Sequence, residues 1–180
     1  MNKRYGDWIM TYTGGQFYPL DPRPDEINIT DIAHGLSQLN RYCGQAEFPW
    51  SVAQHSIAMS YLVPQEHALA CLLHDASEAY MADLPRPLKK SLPSYVEIES
   101  YLLSAIGHLY LVDLFHPVVK DCDNRMLVTE ASVLFRGRSA WWLDPKYPKA
   151  YSLSEVWIEE VPWRDVKDKF LRRFSELSQS

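Results

Sequence analysis

The sequence has too few cysteines, wrongly spaced, for a disulfide framework or a cysteine zinc site. Only 3 of its 180 residues are cysteine, and none stands in a Cys-x-x-Cys pair. An odd number without paired spacing is typical of a protein kept in a reducing compartment. We therefore expect Cys43, Cys71 and Cys122 to be small buried hydrophobic residues.

Long apolar runs and an excess of positive charge are also missing. No apolar stretch approaches the roughly 18 to 20 residues of a membrane span, and the start, MNKRYGDWIM, lacks the apolar segment of a signal peptide. We therefore expect a cytoplasmic protein without a membrane partner. The 18 Lys and Arg against 23 Asp and Glu give a net charge of −5, which argues against binding duplex nucleic acid through bulk charge. An anionic ligand would need a local basic pocket.

What remains is a composition typical of one compact domain. Hydrophobic residues make up 47% of the chain and charged residues 23%, and no internal repeat or low-complexity tract is visible. A folded chain of this size buries about two-thirds of the surface that its unfolded form exposes, which is enough for a core without disulfides. We expect a single domain over residues 1–180.

The pattern along the chain predicts a mainly α fold with a short N-terminal arm. Glycines and prolines break up the first thirty residues and favour extended pieces or a hairpin around TYTGGQFYPL. Apolar residues at helical spacing then predict six helices. Their expected bounds are about Asp31–Asn40, with Thr30 and Asp31 as capping residues; 52–63, capped by Ser51 and closed by Pro64; Glu66–Ala82; Tyr95–Tyr110; Val118–Phe135; and Trp163–Ser178.

Histidines and acids on the inner faces of these helices are the residues most informative about chemistry. His55 shares the apolar stripe of the second helix and is expected to point inward. In the third helix, His74 is followed directly by Asp75, and Glu78 lies four residues beyond His74, one turn along the same face. Each residue alone has a structural explanation, since an inward histidine is more often a hydrogen-bonded core residue than a ligand.

Two further acids make a purely structural explanation of the whole set costly. Asp83 follows the end of the third helix, and Asp123 lies between apolar positions of the fifth. Burying several such groups costs several kcal/mol per uncompensated charge. A divalent cation would compensate them. Two imidazoles with two carboxylates suit Zn, Mn, Fe, Co or Ni without demanding one of them.

Four ordered segments resemble the HD-domain metal-dependent phosphohydrolases. They are QHS at 54–56, LLHDASEAY at 72–80, DLPRPLK at 83–89 and DNRMLVTE at 123–130. Within that family the chain is most similar to the small deoxynucleotide hydrolases, namely bacterial 5'-deoxynucleotidases and phage dATP triphosphohydrolases. The resemblance runs from the lead-in FYPLDPRPDEINITDIAHGLS to about residue 135. It implies an HD-domain helical bundle, and a bacterial host cytoplasm if the protein is phage-encoded.

The resemblance implies a division of roles among the acids and histidines. It places the four metal ligands at His55, His74, Asp75 and Asp123. It places the catalytic acids at Glu78 and Asp83, which would orient or deprotonate water and could hold a second ion. The implied cofactor is a divalent metal such as Zn, Co, Mn, Fe or Mg.

The resemblance also implies how substrate is held. Arg41 and Tyr42 match an Arg-aromatic pair that lies over the phosphate and the deoxynucleoside. Lys89 matches a basic residue after the DLP turn, and Pro87 lies near the base in that arrangement. Gln45 departs from the pattern, since phage relatives often carry histidine there.

The expected activity is hydrolysis of dATP, or another deoxynucleoside triphosphate, to deoxynucleoside and phosphates. One alternative is a 5'-deoxynucleotidase acting on deoxynucleoside monophosphates. An alternative of another class is a non-catalytic nucleotide-binding scaffold, against which the intact Glu78 argues, because a domain that only binds could dispense with it. The expected partners are a small-molecule deoxynucleotide and further copies of the chain in a dimer or hexamer.

Overall fold

The computed structural model describes residues 4–136 and 144–179 and is mainly helical, as predicted. The elements are β1 (Ile9–Met10), β2 (Gln16–Phe17), α1 (Ile29–Gln38), α2 (Val52–Ser60), α3 (Gln65–Leu73), α4 (Glu78–Met81), α5 (Arg86–Lys89), α6 (Pro93–Tyr110), α7 (Pro117–Leu134) and α8 (Trp163–Ser178). Among the described residues, none of these helices has both the length and the apolar character that crossing a bilayer requires.

The predicted N-terminal hairpin is confirmed. β1 and β2 pair antiparallel, with Ile9 opposite Phe17. The connecting turn needs a glycine, because Gly14 has a φ of 86° while its N–H donates to the Thr11 carbonyl at 3.0 Å. Phe17 is fully buried and stacks on Tyr80, with ring centroids 4.0 Å apart. The arm is therefore packed against α4.

The start of α1 differs from the prediction. The N-cap is Asn28, whose side chain accepts a hydrogen bond from the Thr30 N–H at 2.8 Å, so the helix begins two residues before Asp31. Asp31 is buried and instead accepts hydrogen bonds from the Thr13 N–H and hydroxyl, at 2.7 and 2.8 Å. The expected capping carboxylate thus fastens the arm to α1.

The predicted cap of α2 is confirmed, but the helix ends earlier than expected. Ser51 and Gln54 form a reciprocal capping box at its N-terminus. The helix ends at Ser60, and Pro64 is the N-cap residue of α3. α2 packs against α1, α3, α7 and α8, so its inner face lies at the centre of the bundle.

The prediction of one continuous third helix over Glu66–Ala82 is wrong. α3 ends at Leu73, and the chain continues through tight turns before α4 begins at Glu78. The Ala76 N–H donates to the Leu73 carbonyl at 2.9 Å and the Glu78 N–H to the Asp75 carbonyl at 3.0 Å. These bonds span three residues instead of four, which tightens the turn and rotates the following side chains. The His-Asp pair lies where the helix is interrupted.

The core runs between α1, α2, α3, α6, α7 and α8. α1 and α4 approach closely at Gly35, where an added Cβ would lie 2.9 Å from that of Ala79. Cys71 and Cys122 are buried in the core as expected, whereas the expectation that Cys43 is buried is wrong, because it lies exposed in a surface turn.

Candidate metal centre

Three of the four expected metal ligands converge in the structure. His55 of α2, His74 at the end of α3 and the following Asp75 each offer one donor atom, and these atoms lie within 4.8 Å of one another. His55 is fully buried and His74 is 8% exposed. Three donors of mixed nitrogen and oxygen type at this separation can surround one divalent ion.

The hydrogen bonds of the two imidazoles leave matching nitrogen atoms free. The Nδ1 of His55 lies 2.5 Å from Glu130 Oε1, and the Nδ1 of His74 lies 2.8 Å from the Cys71 carbonyl oxygen. Each Nδ1–H therefore donates, which leaves each Nε2 as the ring nitrogen that would face an ion. Among the described residues, both Nε2 atoms are buried without a hydrogen-bond partner, although Asp75 Oδ2 lies 3.0 Å from that of His74 and Asp123 Oδ1 lies 3.3 Å from that of His55. A metal ion would satisfy both atoms, so the residues present fit the expected ion.

The electrostatic surroundings favour positive charge at the same place. Burial and Arg41 act to lower the pKa of His55, but Glu130 and Asp123 outweigh them and raise it to about 9. For Asp75, burial opposes ionisation, but His74 lowers the pKa of the carboxyl to about 2. The acidic surroundings therefore stabilise a positive charge at this place, either on the His55 imidazolium or on an ion that displaces its proton.

Asp123, the fourth expected ligand, lies beside this cluster. Its Oδ1 is 3.3 Å from His55 Nε2, while its Oδ2 contacts the Arg86 guanidinium. Burial acts to raise the pKa of Asp123, but His55, His74 and Arg86 hold it well below the usual range. The ionised carboxylate thus has one oxygen toward the cluster and the other toward Arg86, which also donates to Asn124 Oδ1 at 2.9 Å.

Glu78 is buried next to the cluster, in an environment that favours the protonated form of its carboxyl group. Its Oε2 has no hydrogen-bond partner within residues 4–136 and 144–179, and Lys89 Nζ lies 3.6 Å from its Oε1. Burial, followed by the charges of Asp75 and Asp83, raises the pKa of Glu78 well above its ordinary value. A carboxyl group so shifted beside a cluster of potential metal ligands is suited to accepting and donating protons.

Asp83 is placed by an unusual backbone conformation. It follows Ala82, whose φ of 75° is rare for a residue with a Cβ, and the Tyr95 hydroxyl donates to the Ala82 carbonyl at 2.7 Å. Burial raises the pKa of Asp83, with Arg41 opposing and Asp75 adding to the shift. Neither Asp83 nor Glu78 belongs to the three-residue cluster, so a second ion near them stays a prediction.

The four expected substrate-binding residues lie on two segments around the cluster. Arg41 and Tyr42 open a turn close to Asp75, with Arg41 Nη1 3.6 Å from Asp75 Oδ2. Pro87 is exposed in α5, and Lys89 of the same helix donates to Glu99 Oε1 at 2.7 Å. Their contact with substrate stays a prediction.

Sequence reasoning missed Glu130 and Arg86 as parts of this site. Glu130 is fully buried and accepts hydrogen bonds from four side chains. Burial acts to raise the pKa of Glu130, but Arg41 and His55 lower it to about 2. A signal was present, because Glu130 follows Asp123 by seven residues, or two helical turns on the same face. Arg86 carried no comparable signal, since its contact with Asp123 joins α5 to α7.

Comparison with known proteins places the chain in a family. It is 40% identical over 173 residues to the uncharacterized protein YfdR of Escherichia coli K12, and the match covers 96% of each protein. The chain belongs to the YfdR family. It is also 36% identical over 109 residues to the uncharacterized protein RCAP_rcc00048 of Rhodobacter capsulatus, across 55% of this chain and 56% of that protein. No family model matches the chain.

Proposed function

We propose that this member of the YfdR family is a metal-dependent phosphohydrolase of the HD-domain type that acts on deoxynucleotides. The observation that carries the proposal is the pair of Nε2 atoms of His55 and His74, which are buried beside the ionised Asp75 and have no hydrogen-bond partner in the described part of the chain. The deoxynucleotide class is supported by the resemblance of the four segments around these residues. The preferred reaction is hydrolysis of dATP, or another deoxynucleoside triphosphate, to deoxynucleoside and phosphates.

His55, His74 and Asp75 would hold the ion, and Asp123 would complete the set through the oxygen that faces His55. Bound there, Zn, Co, Mn, Fe or Mg would supply Lewis acidity toward water and phosphoryl oxygens. Glu130 and the Cys71 carbonyl fix the tautomers of the two imidazoles.

Glu78 would carry the proton transfer. Its carboxyl group is buried beside Asp75, and burial with the charge of Asp75 raises its pKa well above the ordinary value, which favours a proton-transfer role. It would accept a proton from the attacking water or donate one to the 5'-oxygen of the leaving group. Asp83 is the next acid along the chain with a raised pKa and would assist in orienting water.

Cationic side chains around the cluster would meet the phosphate charge. Arg41 is buried with one nitrogen toward Asp75, and Lys89 lies between Glu78 and Glu99. Phosphoryl transfer depends mainly on alignment and on positive charge at the phosphoryl oxygens. Tyr42 would pack against the sugar or base, and Pro87 would lie near the base.

A 5'-deoxynucleotidase is the second candidate function, and one observation favours it. The Lys89 ammonium lies 2.7 Å from Glu99, and the Arg41 guanidinium lies 3.1 Å from Glu130, so both charges are already paired. These two side chains are therefore less available to the outer phosphates of a triphosphate. A non-catalytic scaffold is less well supported, because burying the unpartnered Glu78 Oε2 would be costly without a catalytic use.

The deciding experiment is a metal-supplemented assay of every dNTP, dNMP and rNTP, with phosphate, pyrophosphate and triphosphate products separated. Release of triphosphate from a dNTP supports the preferred reaction, and release of phosphate from dNMPs alone supports the second candidate. His74→Ala should lose both the ion and the activity. Stoichiometric tight metal in that variant would overturn the assignment of the site.

A further inference from the structure

Glu130 joins two parts of the site through its two carboxylate oxygens. Its Oε1 accepts from the Trp50 indole N–H at 2.9 Å and from His55 Nδ1 at 2.5 Å. Its Oε2 accepts from Arg41 Nε at 3.1 Å and from the Tyr42 hydroxyl at 2.5 Å. Oε1 therefore accepts a hydrogen bond from the expected metal ligand His55, and Oε2 accepts hydrogen bonds from the expected substrate-binding pair, Arg41 and Tyr42.

The Arg41–Gly44 turn, whose side chains donate to Oε2, has an unfavourable backbone conformation. Tyr42 and Cys43 have φ values of 58° and 52°, in the left-handed region that residues with a Cβ rarely occupy. Gly44 continues in the same region with a φ of 71°. Such a turn persists where its surroundings hold it in place.

Several described contacts of the turn lead to Glu130, in addition to the Arg41–Asp75 ion pair and the packing of the Tyr42 ring against Phe135. The Arg41 N–H donates to the Trp50 carbonyl at 2.9 Å, and the Trp50 indole in turn donates to Glu130. The Arg41 and Tyr42 side chains reach the same carboxylate directly. Because Glu130 is fully buried, water cannot take the place of any donor that leaves.

We propose that Glu130 is a positioning residue that couples metal binding at His55 to the conformation of the Arg41–Gly44 turn. An ion at His55 fixes the imidazole, which fixes Glu130 Oε1, and the same carboxylate then holds Arg41 and Tyr42 in place. Since coupling of this kind is reciprocal, an ordered turn favours metal binding as much as metal binding orders the turn. The inference rests on the proposed metal site, but not on the identity of the substrate.

The first test is the affinity for Co²⁺ alone, measured from its visible absorption in the full-length protein. Glu130→Gln keeps the shape of the side chain but removes its charge, and it should weaken Co²⁺ binding about 10- to 100-fold. Glu26→Gln is the matched control, because it removes a partly buried carboxylate that pairs with Arg4 in the N-terminal arm. Equal affinity in wild type and Glu130→Gln would overturn the positioning role.

The second test is hydrogen exchange of the backbone amides of residues 41–45, with and without saturating Co²⁺. In the wild type the ion should slow exchange in this segment. In Glu130→Gln saturated with Co²⁺ the slowing should be lost, which a role confined to stability would not produce. Equal slowing in both proteins would overturn the coupling.

Tyr42→Phe provides the same test if Glu130→Gln fails to fold. It removes one donor from Oε2 and leaves the contact of His55 with Oε1 intact. Because the coupling is reciprocal, the slowing of exchange in the turn should diminish and Co²⁺ affinity should fall as well, though less than in Glu130→Gln. Undiminished slowing would contradict the proposal. A wild-type protein that binds no Co²⁺ would instead overturn the proposed metal site, so the two failures are distinguishable.

Discussion

At the scale of single residues, Glu78 has the most specific expected role. Glu78→Gln should reduce turnover by about 10² to 10⁴, because it removes the proton-transfer group while its side-chain volume stays the same. Metal content and substrate affinity should be retained, since Glu78 lies outside the three-residue cluster. Single-turnover kinetics together with equilibrium binding would measure both quantities. Near-normal turnover in Glu78→Gln would instead assign the proton transfer to Asp83. The variant Asp83→Asn would then test that assignment.

Lys89 separates the two candidate reactions. Loss of a charge-assisted contact typically costs about 1.5 to 3 kcal/mol. If the substrate is a triphosphate, Lys89→Ala should weaken kcat/KM for dNTPs far more than for dNMPs, because the outer phosphates extend away from the metal. Lys90→Ala is the matched control, because it removes the same charge from the next residue, which is exposed. Equal losses on both substrate classes in Lys89→Ala would favour the monophosphatase.

The site residues predicted from the sequence follow local patterns, whereas those found only in the structure depend on contacts between distant parts of the chain. His55, His74 and Asp75 were predictable because a helical stripe and an adjacent pair place them on inner faces. The Glu130 carboxylate takes its role from donors on other elements, including Trp50, which is 80 positions away in the chain. The periodicity of apolar residues along a helix does not predict contacts between residues so far apart in the sequence.

At the scale of elements, the interruption between α3 and α4 changes the geometry that a continuous helix would give. In a regular helix Glu78 would lie one turn beyond His74 on the same face. The tighter turns at Ala76 and Glu78 rotate the acid relative to the histidine. Sequence could not indicate this break, because the segment from His74 to Tyr80 lacks glycine and proline, the usual local signals of a break.

The C-terminus of α6 offers a test of backbone strain away from the site. Leu111 has a φ of 56° and is 91% exposed, and it occupies a helix-ending position that favours glycine. Leu111→Gly should raise the free energy of unfolding by about 0.5 to 1 kcal/mol. This is the relief of about 1 to 2 kcal/mol of left-handed strain, less the added entropy of the unfolded chain. Chemical denaturation measures the change.

Leu109→Gly is the matched control for this prediction. Leu109 lies two residues earlier, inside α6, and is 37% exposed. Glycine within a helix costs about 1 kcal/mol relative to alanine, so this variant should be destabilised. Destabilisation of both variants would show that the apolar contacts of Leu111 outweigh its strain.

At the scale of the whole molecule, metal binding should be visible as stability. An ion that binds only the folded protein stabilises it by about 2.7 kcal/mol at a concentration 100 times its dissociation constant. For a chain of this length that corresponds to a rise in Tm of roughly 5 to 10 °C. A chelator should therefore lower Tm by this amount in calorimetry. His74→Ala should show no chelator effect, and an equal effect there would place the ion elsewhere.

The association of several copies of the chain is also a property of the whole molecule, and it stays a prediction. The proposed dimer or hexamer is checked by light scattering of the purified protein at several concentrations. A monomer at all concentrations would contradict it.

The sequence by itself determined the mainly α class, the hairpin of the arm, the capping box of α2 and the bounds of α8, because each depends on residues close together in the chain. It also determined that two histidines and an adjacent acid face inward. Only the tertiary structure decided that their donor atoms meet within 4.8 Å, that α3 breaks at the His-Asp pair, and that Glu130 holds both His55 and Arg41. Those features depend on where α2, α7 and the Arg41–Gly44 turn lie relative to one another. Packing of the whole core sets that arrangement, and local propensity carries no information about it.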